Sequence, residues 1–209
     1  IPPFATSSIP LVTLGTFLLW FGSFLFNSFS QLAMGTCDDV NAISKIAVNT
    51  HLAGAAGTVT GAALTRLIGG KTDIVMMLNG ALAGLVAITA EPLTPGPITA
   101  MIIGSIGAVI MYFGTKMLES YGLDDVVGAI PVHMFAGIFG TLVVPFTNPD
   151  TSFGAQLIGV ISVCIFSFVL SYITFSSLKS TIGLRISKAA AKLGTDKVEV
   201  GVIAYSIRD

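Results

Sequence analysis

The sequence predicts an all-α integral membrane protein with six transmembrane helices. Of its 209 residues, 53% are hydrophobic and only 10% are charged, whereas about a quarter of the residues in soluble domains are charged. Short polar or Pro-rich breaks separate six apolar stretches, and a helix needs about 20 apolar residues to cross ~30 Å of hydrocarbon. The predicted spans cover residues 9–33, 42–68, 74–90, 98–118, 125–146 and 153–178, and residues 179–209 form a soluble tail.

The first three spans differ in composition. Span one contains L-G-T-F-L-L-W-F-G-S-F-L-F-N and is apolar on every face, so it is expected to contact lipid or other helices all round. Spans two and three have small residues at four-residue spacing, at Gly57 and Gly61 and at Gly80 and Gly84. This spacing allows two helices to approach closely. The Pro-rich residues 91–97 exclude helix between spans three and four.

The basic residues predict the orientation. If the N-terminal side of span one is side A, the loops alternate and the tail returns to side A. Side B then receives only Lys45, while side A receives Arg66, Lys71, Lys116, Lys179, Arg185, Lys188, Lys192, Lys197 and Arg208. Cytoplasmic loops are enriched in Lys and Arg, so side A is predicted to be cytoplasmic.

The fifth span places one imidazole in an apolar stretch. Residues 124–146 read D-D-V-V-G-A-I-P-V-H-M-F-A-G-I-F-G-T-L-V-V-P-F, with His133 near the middle. An ionisable group at bilayer depth is costly and by default marks a pathway for a polar substrate or a proton. The alternative is a histidine that only hydrogen-bonds to a neighbouring helix. Asp124 and Asp125 are expected to cap the helix, to function, or to do both.

Two further residues in the spans favour packing. Trp20 lies in the middle of span one, away from the interface where tryptophan anchors membrane proteins. His51 stands beside Asn49 and Thr50, which is typical of a polar contact between helices.

Other classes of function are disfavoured. The net charge of −1 provides no basic patch for nucleic acid. Cys37 and Cys164 are too far apart for a zinc knuckle, and a disulfide between them is not expected. Two histidines in different spans, with no carboxylate inside the membrane, do not make an enzyme site, and no metal or cofactor is predicted.

Four consecutive motifs resemble the Amt/Mep/Rh ammonium transporters: L-G-T-F-L-L-W-F-G-S-F-L-F-N (14–27), V-N-T-H-L-A-G-A-A-G (48–57), L-N-G-A-L-A-G-L-V-A-I-T-A (78–90) and D-D-V-V-G-A-I-P-V-H-M-F-A-G-I-F-G (124–140). Members of this family have eleven spans, built as two inverted repeats plus a last helix. The chain resembles the sixth to eleventh spans and the tail.

The resemblance implies roles for individual residues. His133 matches the second histidine of the twin-histidine pore, and Phe26 matches one of two phenylalanines that cap the pore from outside. Ser30 matches a serine of the outer ammonium recruitment site, and Asp125 an acid just before the pore helix. The tail resembles the family's regulatory C-terminus at Gly194, Asp196, Glu199, Gly201 and Ala204-Tyr205.

The chain departs from the family pattern in the outer region and the tail. The glycine usually found before Ser30 is Phe29, and Ser23, Val126 and Phe139 replace a usual Trp, Pro and Trp. Val200 and Val202 replace the usual His and Glu of the tail. None of these changes involves His133.

The resemblance implies an ammonium or ammonia transporter, with a lipid bilayer as surroundings and a homotrimer as assembly. The expected location is a plasma or inner membrane with the C-terminus cytoplasmic, where a regulator could bind the tail. Because the pore of such a transporter lies between its repeats, we expect the N-terminal half to be missing from this chain or supplied by another polypeptide. An Amt-like ammonium sensor with little transport is the alternative.

Overall fold

The computed structural model describes residues 6–204, and every regular element among them is helical. Tyr205 and Arg208, which enter the sequence arguments, lie outside the described residues. The helices are α1 (Ile9–Phe29), α2 (Cys37–Gly69), α3 (Ile74–Thr89), α4 (Pro97–Ser120), α5 (Ile130–Phe146), α6 (Phe153–Thr181) and α7 (Lys188–Leu193), and a π-helical turn covers Asp196–Val200.

The chain divides into two compact units. The first extends to Leu157 and contains α1 to α5, and the second begins at Ile158 within α6 and contains α7 and the π-helical turn. The predicted boundary between spans and tail, at residue 179, lies inside the second unit, close to the end of α6 at Thr181.

Three helices are long and apolar enough to cross a membrane: α1, α4 and α6. Helices α3 and α5 are apolar but shorter, and α2 has 33 residues but is less apolar. The described residues therefore agree with an integral membrane protein, while the number of six spans remains a prediction.

Local capping moves several helix ends from their predicted positions. The polar break expected at residues 36–41 instead starts α2, because Thr36 and Asp39 form a capping box with reciprocal hydrogen bonds. Helix α1 ends at Phe29 rather than at residue 33, and Leu32 has a positive φ of 60° just beyond it. Helix α5 begins at Ile130 rather than at residue 125, because Gly128 has a φ of 73°.

Glycines bring the backbones of α2 and α3 into direct contact, as their spacing predicts. A Cβ added to Gly80 would lie 2.6 Å from the carbonyl oxygen of Gly57, and one added to Gly61 would lie 2.9 Å from that of Met76. Additions to Gly84 and Gly104 would both collide with the carbonyl of Ala53, so α4 approaches α2 equally closely. Helix α3 contacts α1, α2, α4 and α5 and is the central helix of the first unit.

Two buried asparagines add hydrogen bonds between distant parts of the first unit. The Nδ2 of Asn27 donates to Thr50 Oγ1 at 3.1 Å, which joins the end of α1 to α2. The Nδ2 of Asn49 donates to the carbonyls of Pro92 and Pro95, at 2.9 and 2.8 Å. The irregular Pro-rich loop therefore has its carbonyls satisfied by a helix, as backbone in an apolar environment requires.

Gly80→Ala is expected to destabilise the first unit by about 1–3 kcal/mol, because the new methyl group would meet the α2 backbone where nothing can move aside. Thermal unfolding of the purified protein in detergent measures this loss. Gly15→Ala in α1 is the matched control, since a Cβ there has no neighbour within 4 Å. Equal melting temperatures for the two variants would contradict the proposed tight packing.

Candidate functional site

The segment before α5, residues 124–129, is irregular, and the side chain of Asp125 hydrogen-bonds to the backbone where this segment meets the helix. The two carboxylate oxygens of Asp125 accept hydrogen bonds from the backbone N–H groups of Ala129 and Ile130, at 2.9 and 2.7 Å. These N–H groups stand at the start of α5, where a helix has no acceptors of its own. The capping interpretation of Asp125 is thus confirmed, and any further role for it stays a prediction. We call residues 124–129 the approach segment.

His133 lies in the first turns of α5, which form a π-helix over Ile130–Phe135. Pro131 cannot donate a backbone hydrogen bond, which loosens the regular pattern there, and short π-helical turns often occur at functional sites. Pro131 and Val132 are buried in the unit, with Val132 only 2% exposed. His133 faces the other way and is exposed on the side of α5 that residues 6–204 leave uncovered.

The surroundings of His133 on that uncovered side are apolar. The flanking residues Ile130 and Met134 are 40% and 47% exposed. The imidazole is therefore the polar group on an otherwise apolar stretch of helix surface.

Contacts between α3 and α5 give the depth of His133. Asn79 contacts the carbonyl of Val127, and a Cβ added to Gly137 would lie 3.5 Å from Val86. Ala83 of α3 shares a core cluster with Val132, the residue before His133. His133 is therefore level with the middle of α3, although it lies near the start of α5 and not near the middle of its helix as the sequence predicts.

Phe26 and Ser30 lie one helical turn apart at the end of α1. The ring of Phe26 is 69% exposed, and Ser30 is also exposed. The hydroxyl of Ser30 donates to the carbonyl of Asn27 at 2.6 Å. Because the hydroxyl hydrogen of Ser30 is already used in this bond, the Ser30 oxygen interacts with other groups as an acceptor, and its lone pairs are free to accept a hydrogen bond from an N–H donor. The bond from Asn27 to Thr50 turns the neighbouring Asn27 side of α1 toward α2.

The structure places the predicted site residues on two helices that do not touch. Phe26 and Ser30 are on α1, while Asp125 and His133 belong to α5 and its approach segment. Helix α3 contacts both α1 and α5, and α1 and α5 make no contact with each other among the described residues. The chain runs in the same direction in α1 and α5, because two helix-to-helix connections separate α1 from α3 and two more separate α3 from α5.

Trp20 and His51 form a separate aromatic contact between α1 and α2. Their ring centroids are 5.4 Å apart with an interplanar angle of 51°. A Cβ added to Gly54 would lie 3.0 Å from the indole, so Trp20 packs against α2. The packing interpretation is therefore confirmed for Trp20, whereas His51 is exposed and its polar contact between helices stays a prediction.

The singled-out tail residues that the structure describes, from Gly194 to Ala204, form one compact turn. Gly194 and Gly201 flank it with positive φ values of 93° and 77°. Between them, the carboxylate of Asp196 accepts a hydrogen bond from the N–H of Ala204 at 2.9 Å. This bond, followed by one from the N–H of Lys197, lowers the pKa of Asp196 below its ordinary value of 3.8.

The sequence predicts no role in the site for two polar residues of this region, Asn79 and Glu91. Asn79 belongs to α3 and contacts the approach segment, while Glu91 follows α3 and accepts a hydrogen bond from Asn148, beyond the far end of α5. A signal was present, because Asn79 is a lone amide in an apolar helix and such groups usually have a partner on another segment.

The fold and the arrangement of apolar helices define an integral membrane protein. The sequence profile of the Ammonium Transporter Family matches residues 2–205, so the chain belongs to that family. It is 39% identical to the ammonium transporter Amt2 of Archaeoglobus fulgidus, over 95% of this chain and 46% of the relative. Amt2 of Methanocaldococcus jannaschii is 33% identical, over 97% of this chain and 48% of the relative.

Solved structures agree with the family and the fold. A structure described as a sensor Amt protein has a TM-score of 0.83 and 32% identity, covering 92% of this chain and 49% of its own. Mep2 of Candida albicans has a TM-score of 0.82 and 25% identity, over 96% of this chain and 48% of its own. The chain thus spans about half the length of the relatives it matches, and those relatives are named as transporters, not as enzymes.

Asp125→Ala is expected to weaken the first turn of α5 by about 1 kcal/mol, because two backbone N–H groups lose their acceptor. Hydrogen exchange of the Ala129 and Ile130 amides should become faster. Asp124→Ala is the matched control, since the neighbouring acid makes no side-chain hydrogen bond within residues 6–204. Unchanged exchange in Asp125→Ala would show that the cap is unimportant.

Proposed function

We propose that this chain forms one half of the pore of an ammonium transporter. The observation that carries the proposal is the exposed imidazole of His133, level with the middle of α3 and flanked by Ile130 and Met134. A titratable group at that depth needs a polar partner or a polar pathway. A second half, in the same polypeptide or another one, would close the uncovered side of α1, α3 and α5.

The outer end of α1 supplies groups that suit a cation. A charge at the centre of a bilayer costs at least about 2.5–3.5 kcal/mol, whereas neutral ammonia escapes most of this penalty. The exposed ring of Phe26 offers a cation–π contact of about 0.5–2 kcal/mol. The free lone pairs of Ser30 accept an N–H hydrogen bond from the same ion. Together they would hold ammonium where it loses water and a proton.

His133 then gives the apolar interior one group that both donates and accepts hydrogen bonds. One ring nitrogen of an imidazole donates a proton while the other accepts one, so His133 could pass a proton to a second imidazole while ammonia moves through the lumen. That second imidazole and the partner of Phe26 would come from the other half. This half-pore arrangement agrees with inverted-repeat transporters, whose sites lie between the repeats.

The remaining parts of the proposal concern assembly and location. We place the protein in a plasma or inner membrane as a homotrimer, with the C-terminus cytoplasmic because of the distribution of Lys and Arg. The turn around Asp196 offers a surface for a cytoplasmic regulator. Intact mass of the purified protein, together with any subunit that accompanies it, identifies the source of the second half.

An ammonium sensor is the second candidate, and one observation favours it. The similar structure described as a sensor Amt protein covers 92% of this chain at 32% identity. A sensor would bind ammonium with little flux, whereas a transporter would carry it across the membrane. Uptake into proteoliposomes, measured with the tail intact and with residues 179–209 removed, separates the two functions.

His133→Ala is expected to lower methylammonium uptake about fivefold in proteoliposomes of the complete protein, because the substrate loses a hydrogen-bonding group worth about 1 kcal/mol. The melting temperature should change little, since the side chain is exposed in this unit. His51→Gln is the matched control, because it replaces the other histidine of the chain. Uptake by His133→Ala equal to that of the control would count against the pore role.

A further inference from the structure

The approach segment brings irregular backbone against α3 at Gly128, which is buried, while the side chains of Val126 and Val127 are exposed. The Nδ2 of Asn79 donates to the carbonyl of Val127 at 3.1 Å. Asn79 lies in the second turn of α3 and is only 7% exposed. Non-helical backbone at membrane depth is stable only where protein groups satisfy it. Asn79 is such a group, at the last carbonyl before Gly128.

Asn79 and the approach segment are so close together that there is no room for a side chain at position 128. Gly128 has a φ of 73°, and a Cβ added to it would lie 2.6 Å from the Nδ2 of Asn79. The next backbone bond, from the N–H of Val132 to the carbonyl of Gly128 at 3.1 Å, continues directly into the π-helical turn. The position of Val127 therefore fixes where that turn begins.

His133 comes six positions after Val127, and three hydrogen bonds hold the backbone N–H groups of residues between them. The carboxylate of Asp125 holds the N–H groups of Ala129 and Ile130, and Gly128 holds Val132. A π-helical turn is not stabilised by a regular i→i−4 ladder. Its placement along α3 thus depends on what fixes its start, and Asn79 provides the interhelical bond there.

We propose that Asn79 is a positioning residue that sets the depth of the His133 imidazole by fixing the approach segment to α3. The proposal rests on the proposed pore function, because it assigns Asn79 a role only through His133. A purely stabilising role would make Asn79 equivalent to any other buried amide that joins the ends of α3 and α5. The proposed role differs because it acts on the position of His133.

The chain contains a matched comparison at the other end of the same two helices. Asn148, just after α5, donates its Nδ2 to Glu91 Oε2 at 2.9 Å. Glu91 follows α3 and also accepts the N–H groups of Leu93 and Thr94. Both asparagines therefore join the neighbourhoods of the same two helices, but only Asn79 is close to His133.

The test compares Asn79→Leu with Asn148→Leu in a His51→Gln background. The chain has two histidines, so this background leaves one imidazole, and its ring nitrogens give single resonances in [15N]histidine-labelled protein in lipid bilayers. Asn79→Leu is expected to move the His133 resonances beyond the linewidth, and Asn148→Leu to leave them in place. Should Asn79→Leu fail to fold, Asn79→Gln keeps the amide but lengthens it, and the same displacement is expected.

Methylammonium uptake by the complete protein gives the second readout. Asn79→Leu is expected to lower uptake roughly tenfold or more, since a misplacement of about 1 Å of a reacting group can have effects of this size. Asn148→Leu should retain uptake. If the His133 resonances move in Asn79→Leu but the unsubstituted protein shows no uptake, the positioning role would be supported and the transport function overturned. Unmoved His133 resonances in both Asn79 variants would overturn the positioning role whatever the uptake.

Discussion

Direct contact between the backbones of α2, α3 and α4 is the constraint on which the rest of the first unit depends. Lipid chains are as apolar as leucine, so apolar burial alone does little to join helices inside a membrane. Close packing requires that Gly57, Gly80, Gly84 and Gly104 have no side chains, because each faces a backbone carbonyl. This packing makes α3 the helix against which the others are placed.

The candidate pore residues are arranged around that central helix. Helix α1 presents Phe26 and Ser30 at its end, α5 presents His133, and both helices contact α3. Polar side chains serve the irregular parts of the chain: the buried Asn49 satisfies the Pro-rich loop, the partly exposed Asp125 caps α5, and the buried Asn79 donates to Val127. A few hydrogen bonds thus place the π-helical start of α5, with its exposed imidazole, beside the middle of α3.

The sequence predicts the glycine contacts and the apolar helices, because each follows from local spacing or composition, whereas His133 lies near the start of α5 and not in the middle of its helix. It does not predict the start of α5, which depends on the long-range bond from Asn79 and the positive φ of Gly128. The start of α2 was predictable in principle, since Thr36 and Asp39 have the spacing of a capping box. In the proposed half-pore arrangement, the groups that cover His133 would come from outside this chain, so local patterns in the sequence would not specify those contacts.

The most direct test of the account is the position of the His133 imidazole in the complete protein, determined by cryo-electron microscopy in lipid nanodiscs. The account predicts an imidazole beside a continuous apolar channel, with α1, α3 and α5 forming part of its wall. An imidazole in contact with lipid chains, or enclosed between helices with no channel beside it, would contradict the account.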